Sequence, residues 1–199
     1  VLTTKRLEWF CEKILTVPIF QKVLQHQGEE TMKIIKGQKQ DIPDIMDVIF
    51  SCTKHMASQG INQWNEFYPT ADIIENDIKK EYGYVIKDNG RCIAYVAINE
   101  EQSPEYCQVK WLSDGRNVLV IHRLCVHPEY QGKGVAKKML NFIEDLAAEN
   151  NYSCIRLDAY SGNERAIRLY ENFGYKKAGQ VHFQWRDLPF YCYEKNINA

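Results

Sequence analysis

The segment that most constrains the fold is Val118–Val126, an apolar run broken only by His122 and Arg123, followed at once by a glycine turn and a long amphipathic helix. A strand with apolar side chains in both phases must be covered on both faces, so it belongs in the middle of a layered sheet. The helix after it carries Val135, Ala136, Met139, Leu140, Ile143, Leu146 and Ala147 on one stripe, opposite Lys137, Lys138, Glu144 and Asp145. Helical spacing of that kind supplies one of the two covering layers.

The other elements arrange themselves around this pair. Lys33–Lys36 begins strand-like, and Asp41-Ile42-Pro43 opens a helix whose inward face is Ile45, Val48, Ile49, Cys52 and Met56, ending near Gly60. Thr70 is placed to cap a second helix bearing Ile73, Ile74 and Ile78. Tyr84–Lys87 and Arg91–Asn99 read as strands joined by Asp88-Asn89-Gly90, residues that tolerate the positive φ of a tight hairpin. Beyond the long helix, Cys154–Ala159 alternates as a strand, and Ala166, Leu169, Tyr170 and Phe173 mark a short helix capped by Gly174. Strands Tyr175–Phe183 and Phe190–Lys195 come after it. The predicted order is β-α-α-β-β-β-α-β-α-β-β, an α/β mixed sheet with helices on its faces. Residues 1–31 stand apart, with apolar residues at helical spacing on either side of Pro18. They read as a helical extension (a packing arm, a homodimer contact or the product of an early translation start) ahead of a domain spanning 32–199.

Composition narrows the function classes. With 45% apolar and 12% aromatic residues over 199 positions, the chain can bury a core of ordinary size. Its formal charge of −1 provides no general attraction for nucleic acid or anionic membranes, so neither is expected as a partner. The seven cysteines are odd in number and lack a C-x-x-C pair, and Cys92, Cys125, Cys154 and Cys192 fall inside strands. They read as reduced apolar fillers in a cytoplasmic protein. The histidines have no ligand-like spacing, so no metal site is expected.

The turn His127-Pro128-Glu129-Tyr130-Gln131-Gly132-Lys133-Gly134-Val135-Ala136 carries the chemistry. Gly132 and Gly134 let backbone N–H groups converge, and the helix start adds positive dipole, which together make an anion cradle. Lys133, Lys137 and Lys138 add local charge. A magnesium-binding phosphate loop is excluded because Val135, not Lys-Ser or Lys-Thr, follows Gly134; a dinucleotide fingerprint is excluded because position 137 is Lys. On these residues alone, a plain strand-to-helix turn stays open.

Gln131-Gly132-Lys133-Gly134-Val135-Ala136 resembles the Q/R-x-x-G-x-G/A signature of the GNAT superfamily of N-acetyltransferases, with Ala136 where glycine is frequent. Asn163, Ala166, Leu169, Tyr170, Gly174 and Tyr175 are similar to that family's N-x-x-A-x-x-L-Y-x-x-x-G-[FY] segment. The resemblance covers residues from about Met32 to Lys195 and implies a GNAT-like acyltransferase fold, with a mixed, mostly antiparallel central sheet flanked by helices. It also implies acetyl-coenzyme A as the acyl donor, bound at its pyrophosphate by the N–H groups of Gly132, Lys133, Gly134, Val135, Ala136 and Lys137 while Gln131 shapes the turn. The edge of Leu124, Cys125 and Val126 would pair with the pantetheine arm, with the Val126 N–H holding the oxyanion. Asn163 would contact the cofactor or simply cap the next helix. Tyr170 would act as general acid toward the departing thiolate, or simply pack.

A lysine amine near ~10.4 needs a base far more than an α-amine near ~7.8. Asp158 is the candidate base, in the position where ribosomal-protein alanine acetyltransferases of this superfamily carry an acid; the alternatives are a surface carboxylate or a partner for Arg156 or Arg123. His122 and His182 are further candidates, each also readable as a sheet histidine. Trp64, Phe67 and Tyr68 would line the acceptor pocket or else cover the sheet edge. The expected activity is transfer of an acetyl group to a primary amine, on a small molecule or a protein, by direct attack. A non-catalytic coenzyme A sensor of the same fold, a longer-chain acyltransferase and a nucleotide phosphate binder are the competing readings. Loops 60–70 and 100–117 decide among acceptors.

Overall fold

The structure is a computed structural model and describes residues 32–184 and 186–197. The expected helical extension, residues 1–31, lies outside the described residues. The elements run β1 (Ile34–Lys36), α1 (Ile42–Ala57), α2 (Ala71–Lys79), β2 (Gly83–Asp88), β3 (Arg91–Asn99), β4 (Val118–Val126), α3 (Val135–Glu149), β5 (Cys154–Tyr160), α4 (Glu164–Asn172), β6 (Lys176–Val181) and β7 (Phe190–Asn196). The order is the one the sequence predicts. Boundaries move by up to three residues, α1 ending at Ala57 rather than near Gly60, and Thr70 precedes α2 without a side-chain capping bond.

Among the described residues, seven strands form one sheet in the order β1-β2-β3-β4-β5-β7-β6. Only β4 and β5 are parallel; the remaining neighbours are antiparallel. Asn89 and Gly90 both have positive φ, at 48° and 81°, so the β2–β3 connection is the tight turn that Asp-Asn-Gly favours. Strand β3 shows how the pleat sorts the layers. Ala94, Val96 and Ile98 pack under α3, whereas Tyr95 and Ala97 pack under α1 and α2. On the first face Met139, Leu140 and Ile143 are fully buried, and each contributes about 1.5–3 kcal/mol. The second face is closed by Ile45, Val48, Ile49 and Ile74.

Two irregularities in β4 shape the cleft beside it. Its pairing with β5 stops at Val120↔Arg156, although both strands continue, so their later halves part and leave backbone edges unpaired. Against β3, the register shifts between the pairs Ala97↔His122 and Tyr95↔Cys125, which puts an extra residue in β4. Arg123 sits there with φ 55°. A bulge reverses the side-chain alternation beyond it. Leu119 and Ile121 accordingly face α3, but Cys125 faces α1.

Candidate active site

The parting of β4 from β5 opens two cavities that share a wall. One, of ≈ 460 Å³, runs from the end of α1 across Leu124, Cys125 and Val126 to the starts of α3 and α4. The other, of ≈ 920 Å³, lies toward loops 63–68, 101–106 and 183–190. Gln63, Trp64, Leu124, Asp158 and Tyr170 border both.

Where it reaches the starts of α3 and α4, the first cavity is bordered by the glycine turn. Gly132 and Gly134 have φ of 77° and 83°, conformations glycine adopts without strain. A Cβ built at either would meet nothing within 4 Å, so the backbone is open to a bulky group there. Among the described residues, no backbone acceptor takes the N–H groups of Gly132–Lys137, the last three being the first turn of α3. Gln131 holds the turn to the strand: its Nε2 donates to the Val126 carbonyl at 2.9 Å, and its Oε1 accepts from Arg165 at 2.6 Å. Val126 is opposite Ala94, one step from the bond His127 N–H to Ile93 O. Antiparallel alternation therefore turns both the N–H and the C=O of Val126 away from β3, toward the parted edge. The N–H is thereby available to the cleft.

Tyr170 projects from α4 and is 7% exposed. Its ring sits 6.0 Å from that of Tyr175 and 6.3 Å from that of Tyr193. Burial first, and then the charges of Asp158 and Cys125, push its phenol well above the ordinary range, so it stays protonated. Asp158 lies on β5 beyond the point of parting. Burial raises its carboxyl to about 6, Glu105 adds to the rise, and Tyr106 and Arg123 oppose it. The Tyr106 hydroxyl donates to Asp158 Oδ2 at 2.7 Å. His122 is bound to Asn99 Oδ1 at 2.9 Å, and burial with neighbouring Arg123 lowers it to about 4, which leaves it neutral near pH 7.

Residues 47–175 match the model of the acetyltransferase (GNAT) family. The chain belongs to that family. It is 25% identical over 164 residues to the uncharacterized N-acetyltransferase YesJ of Bacillus subtilis, covering 80% of this chain and 87% of that one. It is 39% identical over 83 residues to the spermine/spermidine N(1)-acetyltransferase of Bacillus subtilis, 40% of this chain and 51% of the relative. The match to the mouse N-acetyltransferase 8F1 is 29% over 105 residues, 52% of this chain and 44% of the relative. The chain thus spans about half the length of several relatives it matches. Among solved structures, a GNAT family acetyltransferase from Streptococcus agalactiae aligns with TM-score 0.73 and 25% identity, over 84% of this chain and 96% of that one. The yncA structure from Salmonella typhimurium, described with its cofactor acetyl-CoA, aligns with TM-score 0.64 and 20% identity, over 84% and 95%.

Within this family fold, the expected donor-side residues Leu124, Cys125, Val126, Gln131, Gly132, Gly134, Val135, Ala136, Lys137, Asn163 and Tyr170 do border one cleft. Lys133 does not border it; its ammonium lies 5.2 Å from the Tyr130 ring centroid. Lys138 is exposed outside the lining too, and Arg165 and Arg168 stand at the cleft with Lys137 instead. Asn163 caps α4 through Ala166 N–H at 3.1 Å and also donates to Gln63 Oε1 at 2.8 Å, tying the start of α4 to loop 63–68. Asp158 is neither a surface carboxylate nor an arginine partner: Arg156 pairs with Glu194 and Arg123 with Asp77. Trp64 is 9% exposed and packs with α1 while bordering both cavities; Tyr68 accepts from Arg123 at 3.2 Å; Phe67 is 75% exposed at the second cavity. His182 lies exposed just past β6.

Three supports of the site are not foreseen from sequence: Tyr106, Gln63 and the Arg123 bulge. Arg123 carries one signal, a charge inside an apolar strand. Tyr106 and Gln63 sit in irregular loops where periodicity has nothing to act on.

Proposed function

We propose that this chain is an acetyl-coenzyme A-dependent N-acetyltransferase acting on a primary amine. The reading rests on one observation above all: two cavities, one with an anion-binding backbone turn and the other walled by loops, meet at Asp158 and Tyr170. The name of the Salmonella structure's cofactor and the activities of the named relatives support it. A sensor that only held coenzyme A would have no use for the second cavity beside a carboxylate.

The residues present fit the donor. The N–H groups of Gly132–Lys137, with the α3 dipole, suit a pyrophosphate, and the glycine surfaces leave room for it to come close. Leu124–Val126 offers a parted strand edge to an amide-bearing arm. When bound, acetyl-CoA supplies an electrophilic thioester. The amine enters from the acceptor cavity and attacks that carbon, and the Val126 N–H receives the developing oxyanion. Asp158, ionised at neutral pH, takes a proton from the attacking nitrogen. Tyr170 gives a proton to the departing sulfur as the C–S bond breaks. These two steps leave Asp158 protonated and Tyr170 ionised, and a proton passing from the first to the second through solvent restores both. The net change is one proton from nitrogen to sulfur, and the products are an amide and a thiol.

Residues 32–199 form the catalytic domain in this reading, with 1–31 an extension to it. The unpaired thiols among the described residues suit a reducing, cytoplasmic setting. Thiol release from acetyl-CoA, measured against a panel of polyamines, amino acids, aminoglycosides and peptide amines, tests the function. Amine-dependent release with stoichiometric N-acetyl product supports it, and tight coenzyme A binding without turnover of any acceptor would favour the sensor.

A further inference from the structure

We propose that Tyr106 is the positioning residue for Asp158: its phenol orients that carboxylate and holds it ionised, so that the loop carrying Tyr106 sets the pH range of the enzyme. The proposal rests on the reading of Asp158 as the base.

Tyr106 belongs to the 3-10 turn Pro104–Gln108, in the otherwise irregular connection between β3 and β4, yet it is 4% exposed. A phenol brought in from a loop gives up water and side-chain freedom, and a bond to a charged acceptor compensates. That bond goes to Asp158 Oδ2. With Oδ2 occupied, Oδ1 is the oxygen left to receive a proton from an incoming amine.

The loop is fastened to the same strand by a second point. Arg156, two residues before Asp158 on β5 and so on the same face, is 4% exposed and bonded through Nε to Glu194 Oε2 at 2.7 Å. Its Nη1 donates to Gln102 Oε1 at 2.8 Å, and its guanidinium lies 4.2 Å from the Trp111 ring centroid. Trp111 in turn packs on Tyr106 at 5.0 Å between centroids and donates through Nε1 to the Tyr106 carbonyl at 3.2 Å. Arg156 therefore grips the loop on both sides of Tyr106. The carboxylate and the loop cannot move apart without breaking this network, of which the Arg156–Glu194 pair is buried and the remaining bonds are part-buried.

Asp158 is faced by Glu105 and Tyr106 from the loop, Arg123 from β4, Tyr170 from α4 and Cys192 from β7. Burial and Glu105 favour its acid form, while Tyr106 and Arg123 favour its ionised form. Arg123 is already bound bidentately to Asp77. Tyr106 is thus the opposing group in direct contact, and its loss raises the proton affinity of Asp158.

The test follows Asp158 by carbon NMR in aspartate-labelled full-length protein, alongside the pH profile of kcat/KM. In the native protein the midpoint and the acid limb should fall at about 6. Tyr106→Phe, which keeps the ring, moves both upward by about one pH unit, the worth of one hydrogen bond to a charged group. Replacing Tyr106 with 3-fluorotyrosine, a stronger donor, moves both downward; it decides the matter if the Phe variant does not fold. A Tyr106 that merely filled space would leave the midpoint in place, and that result overturns the proposal. An acid limb surviving in Asp158→Asn would instead overturn the reading of Asp158 as base, whatever Tyr106 does to the NMR midpoint.

Discussion

The cleft proposed for the donor draws its free backbone N–H groups from one continuous stretch, Gly132–Lys137, whereas the cleft proposed for the acceptor takes its walls from stretches near residues 63, 101, 121 and 183 that only the fold brings together. The first works mainly through backbone N–H groups, which any sequence that permits the turn would present. The second works through side chains held by long-range contacts such as Asn163 to Gln63 and Tyr106 to Asp158. A cofactor common to a whole family can be met by the first kind of site. Acceptors that differ between members require the second.

Where the clefts meet, substitution should have its largest effect on rate and none on donor affinity. Tyr170→Phe keeps the packed ring and loses the proton donor. Turnover should fall by ~10²–10⁴-fold, with stability lowered by only about 1 kcal/mol and coenzyme A affinity by calorimetry unchanged. Wild-type turnover in the folded variant would remove Tyr170 from the chemistry.

A change in the donor turn should separate the clefts in the other direction. Gly134→Val puts a β-branched residue at φ 83° and a side chain into the open space over the turn. The strain, about 1–3 kcal/mol, falls on the fold, while the side chain blocks close approach to the amides, so coenzyme A affinity should drop roughly 10- to 100-fold and the acceptor KM at saturating donor should hold. A change confined to the acceptor KM would break the division.

The third effect is one of stability rather than of rate or affinity. Asp158 has a folded-state pKa of about 6 against an ordinary 3.8. A carboxyl raised on folding favours the fold fully below its unfolded pKa, and that contribution is lost as pH rises through 6. Asp158→Asn should therefore gain stability relative to the native protein between pH 4 and 7, by up to about 3 kcal/mol, while losing activity. Parallel denaturation curves across that range would show that the carboxyl is not buried at a cost.

The same division decides what can be read from residues alone. The element order comes from apolar periodicity, and the β2–β3 turn from Asp88-Asn89-Gly90, because both signals are local. The glycine turn before α3 and the capping role of Asn163 are legible for that reason, and the resemblance to the family rests on those segments. The bulge at Arg123 is not: it depends on a register between β3 and β4 that no local pattern records, and it reverses the face presented by Cys125. Tyr106 escapes a sequence reading because its meaning depends on Asp158, distant in the chain. The direction of the Lys133 side chain, whose ammonium lies 5.2 Å from the Tyr130 ring centroid, escapes such a reading too, because charge near a turn says nothing of which way a long side chain will point.

Coenzyme A lying between the parted halves of β4 and β5, with its pyrophosphate on backbone amides, would leave a direct mark on amide hydrogen exchange of the full chain measured with and without the ligand. Exchange should slow at Gly132–Lys137 and at Val126, with the amides of Phe67, Glu101 and Gln184 unchanged. Protection appearing at those three acceptor-side positions and absent from the turn would contradict that placement.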